Sequence, residues 1–150
     1  MRRQTLPPRT ISAGFTLIEL MVAVAVVAIL GTIAMASYSS QIQKSRRTDA
    51  RSAVMDLAGR EEKLFSTTNA YSATPSDLGY GPLGAVFPIA VGSGYYQVSV
   101  AIGNPPTSYV ITATAIGAQA ADTKCTTLAV NELGSQASTG TDTVAACWGN

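Results

Sequence analysis

Few side chains in this sequence are equipped for chemistry. There is no histidine among its 150 residues, which removes the usual general base, the Ser-His and Cys-His nucleophile pairs and the commonest metal ligand. The two cysteines, Cys125 and Cys147, do not have metal-ligand spacing, and the carboxylates form no acid–base motif. No catalytic residue, metal site or cofactor is expected. The placement that stands out is at the other end of the chain. Gly14 lies directly in front of an apolar run, and Glu19 is a lone carboxylate at its start. From residue 20 to residue 35 every side chain is apolar or small except Thr32, and Arg2, Arg3 and Arg9 lie in the leader. The chemistry implied is done to the chain and not by it. A secretory signal is cut downstream of its apolar segment and loses it. A cut after Gly14 would discard only the basic leader and keep the apolar segment, with a new amine on Phe15.

Glu19 has two readings. At the edge of an apolar helix it can reach the headgroup region as an ordinary interfacial acid. Packed among other apolar helices, it must find a cation or be neutralised, and the Phe15 amine is the cation that cleavage creates.

The residues Gly14-Phe15-Thr16-Leu17-Ile18-Glu19 closely resemble the processing site of type IV prepilins and of the related type II secretion pseudopilins. The resemblance implies a cut between Gly14 and Phe15 and N-methylation of Phe15, both by a dedicated prepilin peptidase. It also implies that Glu19 meets the N-terminal amine of a neighbouring subunit during assembly. The stretch Asp122-Thr123-Lys124-Cys125-Thr126-Thr127-Leu128, with Asn131-Glu132-Leu133-Gly134 and Ala146-Cys147-Trp148, looks like the C-terminal part of PilE-like minor pilins. In one respect the chain departs from the family: many type IVa pilins carry a proline where this chain has Ala36, which puts the associated loosening of the helix in doubt here.

Four segments must position these residues. Residues 1–14 are a leader, which Pro7-Pro8 keeps from joining the next helix. Residues 15–37 form an apolar helix of roughly 34 Å, enough to cross a hydrocarbon core of about 30 Å. Residues 38–65 continue it as an amphipathic half, with Ile42, Ala50, Ala53, Val54, Leu57, Ala58, Leu64 and Phe65 at three- and four-residue steps. Lys44, Arg46, Arg47, Arg51, Arg60, Glu61, Glu62 and Lys63 lie between them. The basic cluster at 44–51 reads as a solvated face, a contact with anionic headgroups, or a contact with acids of a neighbouring subunit.

Residues 66–150 form the head. Turn chemistry fills 66–93, with an apolar stretch at 83–91 suited to a short strand or to packing on the sheet. Alternating strands are expected at 95–102, with Tyr96, Val98, Val100 and Ile102 on one face, then at 109–116 and 126–131. The expected fold is α+β: a long N-terminal helix, half membrane-spanning and half amphipathic, packed on a small antiparallel sheet of at least three strands. Residues 132–150 read as a loop. Trp148 is either a packing residue or an exposed adhesive contact.

Two distant cysteines behind a membrane-targeting segment point to a Cys125–Cys147 disulfide in an oxidising compartment; the alternative is two buried thiols. The bridge would bound a C-terminal loop. Formal net charge is +1, and removing the leader leaves seven basic against nine acidic residues. From residue 66 onward Lys124 is the only basic side chain, so direct nucleic-acid binding is not expected.

The resemblance thus implies a structural subunit, a minor one, of a type IV pilus serving adhesion, twitching motility or DNA uptake. The alternative it leaves is a type II secretion pseudopilin. Its implied partners are other pilin subunits, the prepilin peptidase, the inner-membrane assembly platform and, before assembly, the lipid bilayer. Its implied places are the inner membrane, with the head in the periplasm, and then the cell-surface pilus.

Overall fold

The computed structural model describes residues 14–149; the expected leader lies outside the described residues except for Gly14. Helix α1 runs Leu17–Thr68. It begins two residues later than the sequence suggests because Thr16 caps it. The Thr16 hydroxyl accepts the backbone N–H of Glu19 at 3.2 Å, and the Thr16 carbonyl accepts Leu20 N–H at 3.1 Å. A side-chain oxygen at this position satisfies one of the first-turn donors that have no intrahelical partner. Backbone helix continues without a break through Ala36, and the Thr32 hydroxyl bonds back to the Ile29 carbonyl at 2.7 Å.

The far end of α1 overruns the expected Phe65. Hydroxyls of Ser66, Thr67 and Thr68 bond back to the carbonyls of Lys63 and Leu64. The helix then stops at Asn69, which takes a left-handed φ of 55° and donates its N–H to the Phe65 carbonyl at 2.8 Å. Asparagine is one of the few non-glycine residues that adopts this stop readily.

Before Ser40, the described apolar side chains of α1 are exposed, among them Leu17, Val27 and Ile33. This part of the helix is long and apolar enough to cross a membrane by length and composition.

From Ser40 onward the chain builds a five-stranded antiparallel sheet in the order β1-β2-β3-β4-β5. The strands are β1 Ile89–Val91, β2 Tyr96–Ile102, β3 Tyr109–Ala115, β4 Thr127–Asn131 and β5 Gln136–Thr139. The three expected strands are β2, β3 and β4, each within a residue of its expected ends. The apolar stretch before them supplies β1, through Ile89 opposite Val98. The expected C-terminal loop is more ordered than its composition suggests. It holds β5 and a short helix α2, Val144–Trp148. Strand β5 carries small and polar residues with no apolar alternation, so period-2 reasoning passes over it; its pairing with β4 defines it.

One face of the sheet packs on α1. Tyr96 and Val98 of β2, Ile111 of β3 and Leu128 of β4 are fully buried with Val54 and Leu57 of α1. The buried seam of α1 contains two charged residues that the amphipathic reading placed on the polar face. Arg47 and Glu61 are 4% and 0% exposed, in line with Ala50, Val54 and Leu57. Their spacing of three and four residues puts all five on one stripe. Composition alone assigned the two charges outward.

Candidate functional site

The N-terminal candidates lie at the start of α1. Gly14, Phe15 and Thr16 precede the helix in non-helical backbone, and all three are exposed. Phe15 shows 84% of its surface. Glu19 is in the first helical turn, where a carboxylate also offsets the positive end of the helix dipole. Its backbone N–H is taken by Thr16 while its side chain stays exposed. Thr16 was not singled out by sequence reasoning, although Thr16-Leu17-Ile18-Glu19 has the S/T-x-x-E spacing that marks a helix start. The arrangement leaves the Gly14–Phe15 bond outside the helix and the Glu19 carboxylate one turn beyond it.

The head candidates are the cysteines and the side chains that converge on them. Cys125 and Cys147 form a disulfide with Cα atoms 5.7 Å apart, and both are fully buried. Three arginines of α1 attach this region to the helix. Arg47 makes a two-pronged pair with Asp122, Nε to Oδ2 and Nη2 to Oδ1, each at 2.6 Å. Both side chains are almost wholly buried. Burial alone would raise the Asp122 carboxyl. The Arg47 hydrogen bonds and charge outweigh it, aided by the Lys124 backbone N–H at 3.3 Å, and hold the group below the usual carboxylate range. The hydrogen bonds it donates to Asp122 likewise raise Arg47 against the opposing effect of burial.

Arg51, one turn further on, donates Nε–H to the Cys147 carbonyl at 2.9 Å. Burial lowers its guanidinium from the ordinary value, and the like charge of Arg47 adds to this. Gly149 ends α2 with φ 79°. A Cβ on it would come within 2.5 Å of Arg51 Nη1, so glycine there serves both the left-handed stop and the passage of the arginine. Arg46 stacks over the Tyr95 ring at 3.5 Å and bonds Gln119. Gln119 is buried and donates Nε2–H to Asp122, to the Tyr96 hydroxyl and to the Gln43 carbonyl. The basic cluster is therefore largely a clasp on the head's own disulfide region. Lys44 remains exposed. None of the three sequence readings of the cluster anticipated this, because Asp122 is 75 residues from Arg47.

Trp148 is 6% exposed and donates its indole N–H to the Ala137 carbonyl at 3.0 Å. It is a packing residue that joins α2 to β5. Among the described residues no group of three or more His, Cys, Asp or Glu side chains is placed to hold a metal ion.

An exposed apolar helix behind a non-helical Gly-Phe step, continued into a disulfide-bounded α+β head, is the build of a pilin. Comparison with known proteins agrees. Residues 36–129 match a family model described as "Type IV minor pilin ComP, DNA uptake sequence receptor". Residues 9–35 match the prokaryotic N-terminal methylation motif. The chain belongs to this family of type IV minor pilins.

It is 32% identical over 105 residues to the type IV major pilin protein PilA of Myxococcus xanthus (strain DK1622), covering 69% of this chain and 44% of that one. It is 34% identical over 106 residues to the fimbrial protein EcpC of Eikenella corrodens, covering 71% of this chain and 64% of that one. The matches thus span less than two thirds of the length of either relative. A type IV pilin structure from Shewanella oneidensis is similar at a TM-score of 0.47 and 22% identity, covering 63% of this chain and 89% of that one. The family and the relatives are structural pilins and not enzymes.

Proposed function

We propose that this chain is a minor structural subunit of a type IV pilus. The observation that carries the reading is the match of residues 36–129 to a minor pilin family, joined to a methylation-motif match over residues 9–35. In this reading the prepilin resides in the inner membrane through the apolar half of α1, with its head in the periplasm. The prepilin peptidase cuts between Gly14 and Phe15 and methylates the new Phe15 amine. Thr16 supports this, because its cap keeps the scissile bond in non-helical, exposed backbone. The assembly platform then lifts the subunit into the filament. There the exposed apolar side chains of α1 exchange lipid for other helices, and the Glu19 carboxylate pairs with the Phe15 amine of a neighbour. A carboxylate and an amine buried together fix the register, since either alone is costly there.

The test is intact mass and N-terminal sequencing of the protein from sheared surface filaments and, separately, from membranes. The expected filament species begins at N-methyl-Phe15 and is two hydrogens light for Cys125–Cys147. Its abundance relative to the bulk subunit separates minor from major. A protein never cut after Gly14 and found only in membranes overturns the reading.

A second reading, direct contact with DNA, is favoured by the family's own description as a DNA uptake sequence receptor. The uncharged character of the strands argues the other way. The cations available to it are few, since Arg47 is neutralised by Asp122 and Arg60 lies against Asp56. Lys44, Lys63, Lys124 and the Tyr95-stacked Arg46 remain. Binding of labelled duplex at stepped salt decides it: phosphate contacts by four cations give a log–log salt slope of about −3.6, and no measurable binding at low salt removes the reading.

A further inference from the structure

We infer that Glu61 is a pH-operated latch, which holds the Ser72 backbone on α1 while its carboxyl is neutral and releases it when it ionises. The inference is independent of pilus assembly. Glu61 is fully buried on the seam of α1. Its Oε2 accepts the Ser72 backbone N–H at 3.2 Å, and its Oε1 has no hydrogen-bond partner. A buried carboxylate with one oxygen unsatisfied and no cation beside it is costly, and the neutral acid relieves most of that cost.

The groups that face it are themselves acidic or phenolic. On α1, Glu62 accepts hydrogen bonds from the hydroxyls of Tyr71 and Tyr109. In the loop, Asp77 is bonded to the Ser72 hydroxyl at 2.7 Å. From β3 comes Tyr109, whose N–H is bonded to Glu132. The neighbouring cations are engaged or turned outward. Arg60 binds Asp56 and the carbonyls of Leu78 and Gly79, and Lys63 is exposed. Burial is the main cause that raises the Glu61 carboxyl above its ordinary value. The Ser72 N–H opposes it, while the charges of Glu62 and Asp77 add to it.

Tyr71, Pro75 and Leu78 are buried and Arg60 holds the Leu78 and Gly79 carbonyls, so what Glu61 itself holds is the Ser72 backbone between these anchors. Tyr71 N–H reaches the Pro106 carbonyl at 2.9 Å, and the bonds among residues 72, 74, 75 and 77 are internal to the loop. Directly after this segment come Leu83 and Val86, 102% and 77% exposed. The latch therefore governs how firmly the Ser72 backbone, at the start of the chain leading to this apolar, solvent-facing loop, is held.

The sign follows from linkage. A carboxyl raised on folding contributes stability that is whole below its unfolded value, near 4.5, and is lost as pH rises through its folded value. The experiment is hydrogen exchange on the full chain in detergent micelles from about pH 4.5 to about pH 8, each amide normalised to its free-peptide rate. In the wild type, protection at the Ser72 amide is expected to fall about ten-fold per pH unit above the folded value of Glu61, while the β2–β3 ladder keeps its protection. In Glu61→Gln the Ser72 profile is expected to be flat. A flat wild-type profile, an unchanged fall in Glu61→Gln, or a parallel fall across the whole sheet overturns the latch. The wild-type profile decides by itself should the variant not fold.

Discussion

Replacing Asp122 by alanine removes the acceptor of a charge-assisted, two-pronged hydrogen bond and leaves the Arg47 guanidinium buried. Arg47 and Asp122 side chains are 5% and 1% exposed, so solvent cannot take over the lost role. Removing one partner of such a buried pair costs about 3–5 kcal/mol, chiefly because the remaining charge is uncompensated. The loss also frees the Gln119 amide and the Lys124 N–H that Asp122 now accepts. The compact unit concerned is Ser40–Asn150, a size at which 1 kcal/mol shifts the melting temperature by roughly 4–5 °C. The expected loss is therefore on the order of 15 °C.

The assay is thermal melting of the full chain in detergent, followed by the fluorescence of Trp148, the one tryptophan in the sequence. It reports on the head and is silent about the apolar half of α1. The double variant Arg47→Met with Asp122→Leu is the control. Replacing both members of a buried pair by apolar groups is commonly near neutral, so it should recover most of the loss. A fall of only about 2 °C in Asp122→Ala, or a double variant as unstable as the single, refutes the claim that an orphaned buried charge dominates. Acid should reproduce the effect without mutation. The Asp122 carboxyl is held below its ordinary value of 3.8, so its contribution is present above that value and lost as pH falls through the depressed one.

Replacing both Cys125 and Cys147 by serine opens a loop of sequence separation 22 and should lower stability by roughly 3 kcal/mol in the chain-entropy view, measured by the same melt. Trp148→Phe keeps the ring packing but removes the indole N–H donated to the Ala137 carbonyl, and should cost about 1 kcal/mol, read by chemical denaturation with a tyrosine signal. Gly140→Ala should cost on the order of 1–3 kcal/mol, since Gly140 has φ 133° and a Cβ there would collide with the Lys124 carbonyl; denaturation midpoints check it. If Gly140→Ala melts with the wild type, the strand-end geometry assigned to residues 139–141 is wrong.

What the sequence discloses and what it hides divide along a physical line. The long helix, β2, β3, β4 and the disulfide are legible because each is a local pattern: an apolar run, a period-2 alternation, a cysteine pair behind a targeting segment. The start of α1 at Leu17 is legible in principle from Thr16 and Glu19, once spacing is weighed ahead of hydrophobicity. The clasp is not legible. Whether an arginine in an amphipathic helix faces water or the core depends on an acid elsewhere in the chain. Sequence spacing alone puts Arg47 on the stripe with Ala50 and Val54, yet a charge on that stripe is tolerable only because Asp122 returns to meet it. Without the fold, the polar assignment was the lower-energy guess.

Glu61 occupies the same stripe fourteen residues on, and the contrast between the two charges is instructive. Arg47 is buried against a counter-ion, Asp122, which also accepts from the Gln119 amide and the Lys124 N–H. Glu61 is buried with one backbone N–H and acidic neighbours. The first is a permanent staple: ionised throughout the neutral range, it weakens only when Asp122 takes up a proton. The second has no ionised state that the fold satisfies. The two therefore respond to pH with opposite sign, and the ranges do not coincide, because one carboxyl is depressed and the other raised. The disulfide region is fixed where the Ser72 backbone is adjustable. A fold needing only stability at both places would have gained from a cation at Glu61 as it does at Asp122, and Arg60 is next in sequence. Arg60 instead turns to Asp56 and to the loop carbonyls, which holds the loop's outer edge and leaves the inner carboxyl to decide how firmly the Ser72 backbone stays down.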